Sequence, residues 1–252
     1  MQRFFSINAG GSSIRCKLYY GQEPRSITRM VVFVHGFGGH KDNGAAEKFA
    51  QRVLSKYKHV GIVTFDLPCH GEDVKKKLIL ADCLTYLGHV VAFLRETYDC
   101  RELYAYATSF GGYLTLKYIA GNGNPFRKIA LRCPAVNMYG ILTEKLLSPQ
   151  DQTLLEKGKS VPIGFDRKVP VTRDFLAELR AGDIQSLDFL DYAEDILIIQ
   201  GTADEMVSYD TVWNFSQEQL VEFVAVPGAD HRFRASGTME QAIKAILAFF
   251  AL

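Results

Sequence analysis

A serine with small neighbours marks the part of this sequence that is best suited to chemistry. Ser109 stands in the segment Ala107–Gly112, behind the apolar run Glu102–Tyr106 and ahead of a helical pattern. A serine at a sharp turn between a strand and a helix exposes its hydroxyl, provided that the residues two before and two after it are small. Ala107 and Gly111 satisfy this condition. The segment therefore predicts a nucleophilic serine.

A serine nucleophile needs a base that removes its proton and an acid that orients the base. Of the six histidines, only His231 follows the last predicted strand and also comes after a suitable acid, Asp204. Serine, aspartate, histidine is the chain order that such a triad takes on a doubly wound sheet. We predict Ser109, His231 and Asp204 as the triad. Glu205 stays open as a rival acid, whereas Asp195 precedes its strand and so lies at the wrong edge.

A glycine-rich turn, His35–Gly39, follows another predicted strand and exposes backbone N–H groups. In acyl transfer, such N–H groups stabilise the negative oxygen of the tetrahedral intermediate. We expect the N–H groups of Phe37 and Phe110 to form this oxyanion hole. The alternative is a turn that only joins a strand to a helix.

Short apolar runs that alternate with helical patterns predict the sheet that positions these loops. The runs are typical of strands buried on both faces; they are Met30–Val34, Val60–Phe65, Leu103–Ala107, Ile129–Leu131, Ile196–Ile199 and Val221–Val226. We predict an α/β fold with a doubly wound, mostly parallel sheet, preceded by an antiparallel hairpin of Phe4–Asn8 and Ser13–Tyr20. Because the carboxyl ends of parallel strands meet at one edge, the triad residues are expected to converge there.

Residues 135–192 contain no buried-strand run and lie between two predicted core strands. A structureless loop of this length is uncommon, so we predict a cap of helix and small hairpin, inserted into a single domain that spans 1–252. Apolar side chains of the cap and the turns are expected to line the substrate pocket; they are Phe37, Phe110, Ile163, Phe165 and Val169. The alternative is a surface excursion with no role in binding.

The composition narrows the class of protein. A net charge of +1 over 252 residues gives no electrostatic basis for binding nucleic acid or an anionic membrane. The first residues lack the apolar core of a signal peptide, and no later run approaches the length of a membrane span. Five scattered cysteines without a Cys-x-x-Cys pair predict reduced thiols rather than a metal site. We therefore expect a soluble cytoplasmic protein without stable membrane insertion, and leave the oligomeric state open, with a homodimer as one option.

Several motifs together resemble the α/β-hydrolase superfamily over nearly the whole chain. They are His35–Gly39, Asp66–Gly71, Ala107–Gly112, Gly201–Val207 and Gly228–Phe233. The loops around Asp204 and His231 are most similar to those of cinnamoyl and feruloyl esterases, and then to monoacylglycerol lipases. Members usually have Gly-His-Ser-x-Gly-Gly at the serine turn, whereas this sequence has Thr108 before Ser109.

The resemblance implies a serine carboxylesterase that hydrolyses small or aromatic acyl esters through an acyl-enzyme, without a metal or organic cofactor. Three alternatives use the same triad: a thioesterase, an amidase or a peptidase. A non-catalytic binding protein on the same fold is a further alternative. Haloalkane dehalogenases and epoxide hydrolases are disfavoured, because they need a carboxylate where this chain has Ser109.

Overall fold

The computed structural model describes residues 1–98, 100–164 and 167–252, and an eight-stranded sheet forms its centre. The strands of this sheet are β1 (Gln2–Ala9), β2 (Ser12–Tyr20), β3 (Arg29–Val34), β4 (Val60–Phe65), β5 (Glu102–Thr108), β6 (Lys128–Arg132), β9 (Ile196–Gly201) and β10 (Glu222–Val226). They are arranged in the order β1-β2-β4-β3-β5-β6-β9-β10. β1 and β2 form an antiparallel hairpin, β2 pairs antiparallel with β4, and all other neighbours are parallel. The predicted fold class is confirmed.

Helices cover both faces of the sheet, which explains why the parallel strands are mostly apolar. On β3, Val31 and Phe33 face one hydrophobic layer, while Val32 and Val34 face the other, as the alternation of side chains along a strand requires. The first layer is covered by α1 (Gly44–Lys56) and α8 (Thr238–Phe250). The second is covered by α2 (Leu80–Thr97), α3 (Phe110–Asn122) and α7 (Tyr209–Glu218).

The segment between β6 and β9 contains short helices and a separate two-stranded sheet. Its elements are α4 (Met138–Gly140), which continues into a π-helical turn (Ile141–Leu146), α5 (Pro149–Glu156), β7 (Val161–Ile163), β8 (Val169–Val171), α6 (Arg173–Ala181) and a 3-10 turn (Leu190–Asp195). The segment is anchored to α3, because Tyr113 on this helix donates a hydrogen bond of 2.9 Å to the carbonyl oxygen of Gly182. Phe175 and Leu179 of α6 are buried in the same hydrophobic layer as α3.

The loops that carry the predicted site residues leave β3, β5, β9 and β10 at their carboxyl ends. These ends lie at Val34, Thr108, Gly201 and Val226, so the four loops emerge from one edge of the sheet. Among the residues described, no helix combines the length and the apolar character that crossing a membrane demands.

Candidate active site

Ser109 stands at the sharp turn between β5 and α3. Its backbone is in the left-handed half of conformational space, with φ 51° and ψ −119°, which is a strained position for a residue with a side chain. The turn is held in place because the Ser109 N–H donates to the carbonyl oxygen of Arg132 at 3.0 Å. The start of α3 lies so close to the end of β3 that a Cβ at Gly111 would overlap the carbonyl oxygen of Val34. The small residue two positions after the serine is therefore a steric requirement.

The structure brings Ser109, His231 and Asp204 into hydrogen-bond contact. His231 Nε2 lies 3.1 Å from Ser109 Oγ, and His231 Nδ1 lies 2.9 Å from Asp204 Oδ2. An ionised carboxylate only accepts hydrogen bonds, so Nδ1 carries the ring proton and Nε2 is left to accept the serine proton. This is the tautomer that a base for Ser109 needs.

The Asp204 carboxylate is buried and surrounded by donors. Oδ1 accepts hydrogen bonds from the N–H groups of Met206 at 2.9 Å and Val207 at 2.8 Å, and Oδ2 accepts one from Gln200 Nε2 at 3.0 Å. Burial alone raises the pKa of Asp204, but hydrogen bonds from His231, the Cys133 thiol and Val207 hold this pKa below its ordinary value. The carboxylate is thus kept ionised and fixed beside the imidazole.

The rival acids lie elsewhere. Glu205 Oε2 accepts a hydrogen bond from the backbone N–H of His231 at 3.2 Å and so contacts the main chain. Asp195 forms an ion pair with Lys128 at the other edge of the sheet, with 3.1 Å between Oδ1 and Nζ. The geometry therefore favours Asp204 as the partner of the imidazole.

The backbone N–H groups of Phe37 and Phe110, predicted as the oxyanion hole, lie on the two turns that meet at Ser109. Phe110 is the first residue of α3, and the first N–H groups of a helix have no partner within it. Neither this N–H nor that of Phe37 donates a hydrogen bond within the part of the chain that the structure describes. Gly36 brings the Phe37 turn close to the serine, since a Cβ built there would lie 3.2 Å from Ser109 Cβ.

A cavity of about 260 Å³ opens over Ser109 and His231. Phe37 lines it, as predicted, together with side chains that the sequence analysis did not select; these include Met138, Ile141, Leu146, Met206, Thr108, Arg132 and Arg232. The cavity wall formed by α4 and the π-helical turn comes from the segment predicted as a cap.

Three residues predicted to line the pocket lie in the core instead. The side chain of Phe110 is fully buried and contacts the rings of Tyr113 and Phe175. Ile163 and Val169 are opposite each other in the β7–β8 pair and are buried in the main hydrophobic layer. Their apolar character reflects packing of the hairpin, so none of the three lines the described cavity. The fourth residue, Phe165, lies outside the described residues.

The comparisons with known proteins decide the family. The model of the alpha/beta hydrolase family matches residues 31–248. This chain belongs to that family. The predicted resemblance is thereby confirmed, and no curated protein sequence matches the chain significantly.

Solved structures show that the α/β-hydrolase fold extends over the whole chain. Est1E from Butyrivibrio proteoclasticus, solved with ferulic acid, has 18% identity and a TM-score of 0.76, covering 98% of this chain and 100% of its own. A putative hydrolase from Agrobacterium vitis S4 has 19% identity and a TM-score of 0.77, covering 99% and 98%. The esterase domain of a Rhodothermus marinus protein has 16% identity and a TM-score of 0.70, covering 99% and 97%. Likeness at these identities establishes the shared fold.

Two buried histidines support the glycine-rich turn of this α/β hydrolase. His35 Nε2 accepts a hydrogen bond from the Leu67 N–H at 3.2 Å, and its Nδ1 lies 2.8 Å from the Gly36 carbonyl oxygen. His70 Nδ1 lies 2.7 Å from the Pro68 carbonyl oxygen, and its ring contacts that of Phe37. Burial lowers the pKa of both rings, that of His70 to about 4. Both are therefore neutral at pH 7 and serve the structure of the turn.

Gln200 and Cys133 are site residues that sequence reasoning missed. Gln200 lies near the end of β9, and Cys133 directly follows β6; both donate to Asp204. A polar residue at the carboxyl end of a buried strand was the available signal.

Side-chain atoms of Cys133, Asp204 and His231 lie within 4.8 Å of one another, so this group could hold a metal ion. The Asp204 oxygens and His231 Nδ1 are, however, already engaged in hydrogen bonds.

Proposed function

We propose that this α/β hydrolase is a serine carboxylesterase. The observation that carries the proposal is the contact of Ser109 Oγ with His231 Nε2 at 3.1 Å, with the other ring nitrogen on the buried carboxylate of Asp204. A nucleophile, a base and an orienting acid in this geometry serve acyl transfer.

The reaction proceeds in two steps. His231 takes the Ser109 proton while Oγ attacks the ester carbonyl, and the N–H groups of Phe37 and Phe110 stabilise the oxyanion. The imidazolium then protonates the leaving alcohol, which departs as the acyl-enzyme forms. In the second step His231 activates a water molecule, which releases the acid and regenerates Ser109.

The size of the cavity supports a small or aromatic acyl group. A volume of about 260 Å³ lies just below the usual range for ligand pockets, which begins at about 300 Å³. Met138, Ile141 and Leu146 supply an apolar wall, and we assign residues 135–192 as a cap on this basis. Est1E, a structural neighbour, was solved with ferulic acid, an aromatic acid.

A panel of substrates with one acyl group tests the bond that is cleaved. The butyryl oxygen ester, thioester and anilide should be hydrolysed in that order of kcat/KM. Ser109→Ala should abolish hydrolysis, while Ser55→Ala, at an exposed serine near the end of α1, should leave it unchanged. A higher kcat/KM for the thioester or anilide would replace the esterase with a thioesterase or an amidase. Undiminished turnover by Ser109→Ala would rule out the serine mechanism.

A further inference from the structure

A buried arginine, two of whose nitrogen atoms have no hydrogen-bond partner among the described residues, lies beside the proposed nucleophile. Arg132 is the last residue of β6, and its side chain lines the same cavity as Ser109 and His231. The residue is only 6% exposed, yet Nε and Nη1 have no hydrogen-bond partner among the described residues. A buried charge of this kind is costly unless it is paired.

The neighbours of Arg132 do not supply the missing negative charge. The guanidinium carbon lies 5.0 Å from the centre of the Phe233 ring, which gives a cation–π contact. The Tyr106 hydroxyl lies near the guanidinium and is itself buried, but it is neutral and supplies no charge. No carboxylate of the described residues lies within 4 Å of the guanidinium, although other basic side chains in the protein are paired in this way.

Basic side chains lie in the described wall of the cavity. Arg132 and Arg232 are its charged lining residues, and no Asp or Glu is among the described residues that form its wall. The amino-terminal end of α1, at Asn43 and Gly44, faces the same space and adds the positive end of a helix dipole. The Asn43 side chain already caps the N–H groups behind it, so the dipole adds to the field rather than forming a site itself.

Thr108 lies beside Arg132 in the wall of the cavity. It is paired with Arg132 in the register of β5 and β6, and both residues line the cavity. The residue before the serine is a threonine in this chain, and its side chain is smaller than an imidazole. The arginine and the serine thus line the same cavity.

We propose that the cavity selects esters that carry a free carboxylate, which the Arg132 guanidinium binds. The proposal rests on the esterase function above and names its substrate class. The substrate is a monoester of a dicarboxylic acid, or an ester whose alcohol part bears the carboxylate.

Matched pairs of esters test this. Mono-4-nitrophenyl adipate and its methyl ester differ only in a charge on the acyl side, and 4-acetoxybenzoate and its methyl ester differ in a charge on the alcohol side. The wild-type protein should prefer the charged member of at least one pair, and the preferred pair shows which side carries the carboxylate. Arg132→Gln should lower kcat/KM for that charged ester by about 10- to 100-fold, and for its neutral partner by less than about 3-fold.

Arg52→Gln, at an exposed arginine on α1, is the control and should leave both members of each pair unchanged. Melting curves establish that the Arg132 variants are folded, and Arg132→Lys, which keeps the charge, should retain part of the preference. Binding gives a readout without turnover: Ser109→Ala should bind monomethyl adipate in calorimetry, and Ser109→Ala with Arg132→Gln should not.

Equal rates on both members of both pairs, with no binding of monomethyl adipate, would overturn the anion site while leaving the esterase intact. An absence of hydrolysis for all four esters would instead contradict the proposed function. Binding of monomethyl adipate that persists in the double variant would show that Arg132 is not the anion-binding group.

Discussion

At the scale of single residues, the central feature is an imidazole held between a hydroxyl and a buried carboxylate. Asp204 is fixed by two backbone N–H groups and by Gln200, so its position does not depend on His231 alone. The lowered pKa of Asp204 keeps it ionised throughout the neutral range. In the proposed mechanism, the task of the aspartate is to hold the proton on Nδ1 of the ring.

Asp204→Asn should reveal this task directly. The amide would donate to Nδ1 and stabilise the wrong tautomer, so we expect kcat for ester hydrolysis to fall by about 10³- to 10⁴-fold with the fold unchanged. Glu205→Gln is the matched control, because Glu205 meets His231 at its backbone N–H and not at the imidazole; its kcat should change by less than about 3-fold. The reverse pattern would identify Glu205 as the acid.

At the scale of elements, α3 begins at the serine turn and lies close against the end of β3. Gly111→Ala would force the new Cβ into the Val34 carbonyl oxygen, so we expect a loss of about 1–3 kcal/mol in the free energy of unfolding. Gly121→Ala in the same helix meets no atom within 4 Å and should be neutral or stabilising. Urea unfolding compares the two, and equal stability would contradict the steric account.

The segment 135–192 offers a second test at this scale. Ile141 lines the cavity from the π-helical turn, whereas Ile163 is buried in the β7–β8 pair. Ile141→Ala should change the ratio of kcat/KM for butyryl and acetyl esters by about 3- to 10-fold, because it removes apolar contact with the longer chain. Ile163→Ala should lower stability and leave this ratio unchanged. If only Ile163→Ala altered the ratio, the assigned wall of the cavity would be wrong.

The sequence predicted the elements of the sheet better than it predicted the cavity. The loops of Ser109, Asp204 and His231 were located because each follows an apolar run, and parallel strands bring their carboxyl ends together. Ile163 and Val169 show the limit: an apolar side chain predicts burial, but not whether it faces a ligand or a neighbouring element. Arg132 was missed because a basic residue at the end of a strand is usually exposed, and only the tertiary structure shows that it is enclosed.

At the scale of the whole molecule, the buried neutral histidines make stability depend on pH. The pKa of His70 is about 4 in the folded protein, against about 6.5 for an unperturbed histidine. Below pH 6.5 the unfolded chain binds a proton at this position that the folded protein does not bind. Stability is therefore fully present above pH 6.5 and declines as the pH falls toward 4. His35, whose pKa is also lowered by burial, acts in the same direction.

We expect His70 to contribute a loss of about 2 kcal/mol in the free energy of unfolding between pH 7 and pH 4.5. His70→Asn keeps a donor for the Pro68 carbonyl but cannot titrate, so its stability should fall less steeply over this range. Urea unfolding at a series of pH values measures the two slopes. Parallel slopes would show that His70 is not the titrating group.

Covalent labelling of the folded protein by a fluorophosphonate at neutral pH tests the triad most directly. Intact mass and peptide mapping should find one adduct, on Ser109, and His231→Ala should slow its formation strongly, because the base for Ser109 Oγ is lost. Labelling of Ser109 that is equally fast without His231, or no adduct on Ser109 in the wild-type protein, would contradict the account.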